Sequence, residues 1–305
     1  MKKLRLTALL IVTTLLAACA AAPPPPPPPP PLEVPIPKVA LVLSGGAARG
    51  FAHVGVIRAL EQEKIPIDLI VGTSVGSLIG AIYASDRNSF ELEWTAFQLE
   101  KDSLLDYGMF TAITGMGLAK GAKLEEFVKT KVTTANIENL KIPFAAVATD
   151  LNLGKRVVLD RGSVVKAVHA SSAIPGVFEP VQHQGRMLVD GGVTDNIPID
   201  VAREMGADIV IAVDISENVE NHNITNLVDV LLQAVNIMFN ENVLSHRNNA
   251  DVLITPTVGK VAMLDFTQKK QCMQAGIEAT QKAMPAIKAV IADWRPKAVA
   301  AKSGP

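Results

Sequence analysis

The sequence predicts an α/β fold in which a largely parallel central sheet carries helices on both faces, giving three layers. Short apolar runs rich in β-branched residues recur along the chain, and several are apolar throughout, as expected for strands buried on both faces of a sheet. Helical patterns lie between these runs, so strand and helix alternate. The runs are KVALVLS (38–44), IDLIVG (67–72), FAAVATD (144–150), RMLVD (186–190), DIVIAVD (208–214) and DVLITPT (251–257).

The first residues have the layout of a secretory signal. Basic residues precede an apolar run at positions 6–18, which is too short for a spanning helix because such a helix needs about 20 apolar residues. The ending LAAC (16–19) resembles a bacterial lipobox, so we expect residues 1–18 to be cleaved and Cys19 to carry a lipid anchor. An ordinary cleaved signal with an incidental cysteine is the alternative.

Two further expectations follow from the lipobox. Ala20 is not the aspartate linked to retention in the inner membrane, which favours the periplasmic face of the outer membrane. If Cys19 is acylated, Cys272 has no partner, and we expect no intramolecular disulfide.

A run of prolines, Pro23 to Pro31, follows the cysteine and predicts a stiff polyproline spacer within residues 19–37. A ligand for a proline-recognising module is the alternative. From residue 38 to 305 the length fits one domain, with a core at 38–215 and a helical part at 216–305. Removal of residues 1–18 changes the net charge from −1 to −4, which argues against a nucleic-acid partner.

Two junctions between a strand and a helix carry glycine clusters. In the second, Gly72 and Gly76 flank Ser74, and a sharp turn at this point exposes the serine hydroxyl at a helix N-terminus. In the first junction, Ser44 to Gly50, residues 45–48 have no side chain larger than a methyl group, so several main-chain N–H groups can point at one small volume. This combination predicts a nucleophile beside an oxyanion hole.

The first glycine cluster has an alternative interpretation as a dinucleotide-binding turn. It follows a strand, opens a helix and precedes Asp68 by 18 residues. However, Ala47 stands at the middle glycine position, where a side chain hinders approach of the pyrophosphate. The sequence also has no GxxxxGK motif for a P-loop.

A nucleophilic serine needs a base, and the sequence leaves two classes open. His222 and His246 follow Ser74 in the order of an α/β-hydrolase triad, although both lie in polar surroundings. Among the aspartates that close apolar runs (Asp150, Asp190 and Asp214), Asp190 stands before two glycines that permit a tight turn. The alternative role of such aspartates is turn formation or helix capping.

The motifs together resemble the patatin-like phospholipase family of lipid acyl hydrolases. The matching segments are LVLSGGAARGFAHVGVIRALE (41–61), IVGTSVGSLIGAIYA (70–84), IPFAAVATDL (142–151), HASSAIPGVFEPV (169–181) and LVDGGVTDNIPIDVAREMGADIVIAVDI (188–215). The resemblance implies a single patatin-like domain and a Ser-Asp dyad, with Ser74 as nucleophile and Asp190 as base. It also implies an oxyanion hole formed by the loop of Gly45, Gly46, Ala47, Ala48, Arg49 and Gly50.

The implied function is hydrolysis of acyl esters of membrane lipids through an acyl-enzyme, without metal or cofactor. The sequence has no HExxH, paired CxxC or EF-hand pattern. An ordinary aspartate has a pKa near 3.9, so activity is expected to fall at acid pH. A non-catalytic envelope lipoprotein that binds lipid or protein, and a hydrolase with a histidine base, remain the alternatives.

Several neighbouring residues have two interpretations each. The side chain of Arg49 either contacts a lipid phosphate or braces its loop. Residues 104–118 form either core packing or a lid beside the acyl chain. The remaining polar residues near the motifs are predicted to shape turns and caps, with His169 as a packing residue: Ser44, Thr73, Ser171, Ser172 and Asn196.

Overall fold

The computed structural model describes residues 35–106, 116–216, 224–225, 227–259 and 261–296. The chain divides into two compact units, Met1–Ile36 and Pro37–Pro305, and the first lies almost wholly outside the described residues. The predictions for residues 1–18, Cys19, the proline run and His222 therefore fall outside them, as do positions 107–115 of the predicted lid or core segment.

The strands occupy the predicted apolar runs and four additional segments. In chain order they are β1 (Val39–Leu43), β2 (Leu69–Thr73), β3 (Gly117–Ala119), β4 (Phe144–Asp150), β5 (Lys155–Leu159), β6 (Gly176–Phe178), β7 (Val181–His183), β8 (Arg186–Asp190), β9 (Ile209–Val213) and β10 (Val252–Ile254).

The helices of the described residues alternate with these strands over much of the chain. They are α1 (Phe51–Gln62), α2 (Val75–Asp86), α3 (Ser89–Gln98), α4 (Ala122–Lys131), α5 (Val164–Ser171), α6 (Ile199–Glu204), α7 (Leu227–His246) and α8 (Lys269–Asp293). Short 3₁₀ turns occupy Ala47–Gly50, Lys101–Ser103, Ile137–Asn139, Gly191–Val193 and Arg247–Asn249.

The central sheet has the strand order β10-β9-β1-β2-β4-β8-β7, with β5 also paired to β4. The pairs from β10 to β4 are parallel, whereas β5, β7 and β8 join antiparallel. Strands β3 and β6 form a separate parallel pair. The predicted α/β class is confirmed, and the mixed edge is an addition that the sequence pattern did not indicate.

Strand β4 brings β2 and β8 together end to end. Its first half pairs with β2, where Thr73 is opposite Val147, and its second half pairs with β8, where Asp190 is opposite Ala148. Strand β5 pairs with β4 across both halves, so β2 and β8 must lie on the same side of β4. Because β8 runs antiparallel to β2, the carboxyl ends of the two strands meet.

The sheet separates two hydrophobic cores, which gives the three predicted layers. Alternate residues of each buried strand point to opposite faces: Leu41 and Leu43 pack into the larger core, and Ala40 and Val42 into the smaller one. No helix of the described residues has the length and apolar composition required to cross a bilayer.

The helical part predicted at 216–305 contains Pro285, a residue that normally interrupts a helix. Helix α8 continues through this proline, although proline in a helix interior costs about 3 kcal/mol. Packing offsets the cost, because Met284 and Ile287 on either side of the proline are buried. Helix α8 lies so close to α1 that a Cβ on Gly276 would overlap the carbonyl oxygen of Ala52.

Candidate active site

Ser74 lies at a strained turn between β2 and α2. Its backbone has φ 54° and ψ −126°, a region that non-glycine residues adopt only where the surrounding structure enforces it. Gly72 and Gly76 make the turn possible: a Cβ on Gly72 would stand 2.5 Å from the carbonyl carbon of Gly76, and a Cβ on Gly76 would overlap the carbonyl oxygen of Leu43. The sharp turn predicted at Ser74 is therefore present, but Ser74 is buried, whereas the sequence analysis expected its hydroxyl to be exposed.

Ser171, the last residue of α5, stabilises the turn at Ser74 through hydrogen bonds. The main-chain N–H of Ser74 donates a hydrogen bond of 2.9 Å to Ser171 Oγ, and Ser171 Oγ donates one of 2.6 Å to the carbonyl of Val147. Both serines are buried. The sequence analysis assigned Ser171 only to shaping a turn, because this contact joins residues 97 positions apart.

Asp190 is completely buried where β8 meets β2. Its Oδ1 accepts a hydrogen bond of 2.8 Å from the N–H of Gly192, whereas its Oδ2 has no partner of good geometry among the described residues. Burial raises the pKa of Asp190 to about 7, and the nearby Ser74 side chain and the Gly192 N–H oppose this by favouring the ionised form.

The Ser74 hydroxyl therefore lies near Asp190 without forming a well-aligned hydrogen bond. It is close enough to influence the pKa of the carboxyl, yet Oδ2 stays unpaired. Catalytic hydrogen bonds are often long or misaligned before substrate binds. The arrangement suits a base whose free oxygen takes up the serine proton.

Fewer main-chain N–H groups of the predicted oxyanion loop are free to donate than the sequence suggested. The N–H groups of Gly45, Ala48 and Arg49 already donate to Asn196, Met263 and Gly46. Within the described residues, Gly46 and Ala47 keep N–H groups that donate no hydrogen bond. The N–H of Val75, at the first position of α2, is a further free donor that the sequence analysis missed.

Arg49 is completely buried, so of its two interpretations the structure supports bracing of the loop. Its Nε donates to the carbonyl of Gly46 at 3.2 Å, and its Nη2 donates to Oδ1 of Asn236 at 3.1 Å. Asn236 belongs to α7, so this helix contacts the loop through the Arg49 side chain.

An apolar cavity adjoins Ser74. Its wall comes from residues 47–51, the start of α2 and several other apolar segments. The lining includes Ala47, Val75, Leu104, Leu105, Val177 and Phe178. Leu104 and Leu105 thus line the cavity from the described part of the segment predicted as lid or core packing.

Three of the four histidines in the described residues form contacts away from Ser74. The His53 ring bonds to the carbonyl oxygen of Ser44 at 2.8 Å, and burial lowers its pKa to about 4. His169 Nδ1 contacts Glu125 at 2.6 Å, and His246 Nδ1 contacts the carbonyl of Asn242 at 2.8 Å. None of these three rings is bonded to Ser74 in the described part of the chain.

The other polar residues singled out in the sequence stabilise turns around the site. Asp150 accepts main-chain hydrogen bonds from Asn152 and Leu153, and Asp214 accepts one from Ser216. Asn196 Oδ1 accepts the N–H of Gly45 at 3.1 Å. Ser44 Oγ accepts the N–H of Ile215, and Thr73 Oγ1 donates to the carbonyl of Asp195. Cys272 is buried with a free thiol.

An α/β fold with a serine at a strained strand-to-helix turn, a buried carboxylate and free main-chain donors defines an elbow-type serine site. The family model described as patatin-like phospholipase matches residues 41–203, just over half of the chain. The chain belongs to the patatin-like phospholipase family, and this confirms the resemblance seen in the sequence.

Similar proteins are known from bacteria and mammals. An uncharacterized NTE family protein of Mycobacterium tuberculosis is 39% identical over 182 residues, which cover 59% of this chain and 49% of that protein. The human patatin-like phospholipase domain-containing protein 6 is 36% identical over 186 residues, covering 60% and 14%. The chain thus matches about half of the mycobacterial relative and a small part of the human one.

Two solved structures of bacterial proteins show partial similarity to this chain. VipD from Legionella pneumophila has a TM-score of 0.49 at 14% identity, covering 84% of this chain and 67% of that one. The type III effector protein ExoU has a TM-score of 0.49 at 12% identity, covering 85% and 54%.

Proposed function

We propose that this protein is a serine acyl hydrolase that cleaves acyl ester bonds of membrane lipids with a Ser74–Asp190 dyad. The observation that carries the proposal is the end-to-end meeting of β2 and β8, which brings the serine of the strained turn close to a carboxylate oxygen that has no partner among the described residues. Membership of the patatin-like phospholipase family supports the lipid ester as substrate class.

In the first half of the reaction, Ser74 Oγ attacks the ester carbonyl carbon and its proton passes to Asp190 Oδ2. The carbonyl oxygen becomes an oxyanion, for which the free N–H groups of Gly46, Ala47 and Val75 are available. Collapse of this intermediate breaks the ester bond. The departing alcohol or lysolipid takes the proton from Asp190, and an acyl-enzyme remains on Ser74.

In the second half, water attacks the acyl carbonyl and gives its proton to the same aspartate. The second tetrahedral intermediate releases the fatty acid, and Ser74 Oγ regains the proton. The unpaired oxygen of Asp190 thus acts as base and as acid in both halves. The apolar cavity beside Ser74 suits an acyl chain because its lining offers few polar groups.

A fluorophosphonate probe tests the nucleophile and the base. We expect the folded wild-type chain to be labelled, labelling to be lost in Ser74→Ala and weakened in Asp190→Asn, and His246→Ala and His222→Ala to label as wild type. Folded but unlabelled wild type would favour a non-catalytic lipid- or protein-binding role. Labelling abolished by a histidine variant would favour a histidine base.

We further propose that residues 1–18 are removed and that Cys19 carries the lipid anchor, ahead of a proline spacer and a hydrolase domain at 38–305. The composition of residues 1–37 supports this layout. The proposed location is the periplasmic face of the outer membrane. Incorporation of a palmitate analogue that is lost in Cys19→Ala, followed by membrane fractionation, tests both points.

A further inference from the structure

Helix α7 has an inner face that packs against the candidate active site and an outer face that is largely exposed. On the inner face Asn236 bonds to Arg49, the Phe239 ring packs against Gly192, and Asn242 Nδ2 donates to the carbonyls of Gly192 and Val193. Val235 and Val243 are buried on the same face. The inner face therefore stabilises the loops around the candidate active site.

The outer face is exposed and aliphatic. Its members are spaced by about two turns or lie next to such positions, so they form one stripe along the helix. We call the following set the α7 apolar face: Val230, Leu231, Ile237, Met238 and Leu244, exposed by 49%, 42%, 44%, 36% and 45%. Glu241 and Ser245 are also exposed and lie between Leu244 and the other four residues, so Val230, Leu231, Ile237 and Met238 form the compact part of the face. An isolated exposed apolar residue needs no explanation, but a cluster of this size does.

The α7 apolar face adjoins the cavity that holds Ser74. A Cβ on Gly176 would stand 3.0 Å from Leu231 Cδ1, and Gly176 immediately precedes Val177 and Phe178 of the cavity wall. Gly176 also pairs with Gly117, whose neighbour Met116 is 62% exposed. Exposed apolar surface thus continues from the cavity wall onto the outside of α7.

We propose that the α7 apolar face docks onto the surface of a phospholipid bilayer, with α7 lying along the interface beside the cavity. The proposal rests on the lipid hydrolase function proposed above and adds the surface by which the substrate is approached. A helix with an apolar face lies in this way at the boundary between headgroups and acyl chains.

The position of the face favours lipid as its occupant. The proposed substrate is a membrane lipid, and the face adjoins the cavity that such a lipid has to enter. The described residues also have an exposed apolar surface on α3, where Phe90, Trp94 and Phe97 line a groove together with Arg58 and Glu93. None of these three aromatic residues lines the Ser74 cavity, so the α3 surface serves as a control.

The charge of α7 makes the proposal more specific. The helix contains no lysine or arginine, and its charged residues include Asp229 and Glu241. Attraction to anionic lipid needs basic residues near the surface. Docking should therefore be driven by apolar burial, and it should be as strong on phosphatidylcholine as on mixtures with phosphatidylglycerol.

A fluorophore attached to α7 tests the contact directly. The full chain carries Cys19→Ser, which removes acylation and the N-terminal thiol, together with Met238→Cys labelled with an environment-sensitive dye. Addition of dioleoylphosphatidylcholine vesicles should raise its emission by about twofold or more, as expected for entry into an apolar phase. Nitroxide-labelled phosphatidylcholine should quench that emission. The control, Phe90→Cys on α3, should change little.

A set of glutamine substitutions gives the functional counterpart. Ile237→Gln, Met238→Gln and Leu244→Gln combined should weaken vesicle binding by about tenfold, because polar groups replace three apolar ones. Hydrolysis of a soluble monomeric ester should stay within about twofold, since these side chains point away from the site. The matched α3 set, Phe90→Gln, Trp94→Gln and Phe97→Gln, should leave both properties unchanged.

Three results would overturn the proposal. Emission at position 238 that responds to protein concentration but not to nitroxide lipid, with a dimer by sedimentation, would assign the face to a second copy of the chain. A response at position 90 alone would move docking to α3. No response at either position would remove docking altogether. Failure of wild type to react with the fluorophosphonate probe would reject the hydrolase function while leaving the lipid contact measurable.

Discussion

The main-chain N–H of Ser74 donates a 2.9 Å hydrogen bond to the buried hydroxyl of Ser171. Ser171 in turn donates to the carbonyl of Val147, on the strand that also pairs with β8 next to Asp190. One hydroxyl therefore connects the strained turn at Ser74, the proposed nucleophile, to the strand that positions Asp190, the proposed base.

Replacement of this hydroxyl should impair chemistry more than binding. Ser171→Ala leaves the buried N–H of Ser74 without an acceptor, at a cost of about 1–3 kcal/mol. We expect the free energy of unfolding to fall by a similar amount and kcat to fall by at least about tenfold, with a smaller change in KM. Steady-state kinetics on a soluble ester and chemical denaturation measure these effects.

Ser172→Ala is the matched control for stability, because within the described part of the chain the buried Ser172 hydroxyl has no hydrogen-bond partner. Its removal should leave the free energy of unfolding within about 0.5 kcal/mol of wild type. Equal kcat values for Ser171→Ala and wild type would show that the turn keeps its geometry without the bridging hydroxyl.

The pH dependence of activity should report the raised pKa of Asp190. The base acts only when ionised, and burial raises its pKa to about 7. We therefore expect kcat/KM to fall with a slope of one below about pH 7, well above the acid range that an ordinary aspartate predicts. A pH profile with a soluble uncharged ester tests this, and an acid limb near pH 4 would contradict the burial argument.

Asp190 should also reduce stability at neutral and alkaline pH. Its folded pKa exceeds the ordinary value of 3.8, so the folded chain binds a proton that the unfolded chain lacks between about pH 4 and 7. The stabilisation that this bound proton gives to the folded chain is complete at low pH and is lost as the pH rises through about 7. Asp190→Asn removes the buried charge and should raise the free energy of unfolding at about pH 8 by ~1–4 kcal/mol.

The gain from Asp190→Asn should shrink at about pH 5, where the wild-type carboxyl is already protonated. Asp150→Asn provides the comparison: this aspartate is also buried but accepts two main-chain hydrogen bonds, so we expect no gain at either pH. Thermal or urea unfolding at both pH values measures the difference, and a pH-independent gain would argue against linkage to Asp190.

Asn236 should matter for the oxyanion loop although it lies on α7. Its Oδ1 accepts from the buried guanidinium of Arg49, which also holds the carbonyl of Gly46. Asn236→Ala should lower kcat by about tenfold and stability by about 1–3 kcal/mol, because a buried donor loses its acceptor. Asn236→Asp keeps an acceptor oxygen and should restore much of kcat; an equal loss in both variants would indicate a purely packing role.

The comparison of sequence and structure separates local from long-range information. The elbow was predictable because its requirement is local: Gly72 and Gly76 lie within two residues of Ser74, and any side chain there would meet the neighbouring main chain. The buried strands were predictable for a similar reason, since strands covered on both faces are apolar throughout.

Long-range contacts decided what the sequence pattern left open. Strands β5, β6 and β7 are short or partly exposed, so their pattern is weak, and β8 meets β2 only because both pair with β4. The continuity of α8 through Pro285 depends on its packing against α1. The role of Arg49 in bracing its loop depends on a hydrogen bond to Asn236, which lies 187 residues away along the chain.

The sequence by itself determined the fold class, the family and the serine at the elbow, because each is encoded in short segments whose residues constrain their own backbone. Only the tertiary structure decided which N–H groups stay free, how far burial raises the pKa of Asp190 and which face of α7 is exposed. These properties depend on what surrounds each group after folding, and desolvation and hydrogen-bond partners are set by segments distant along the chain.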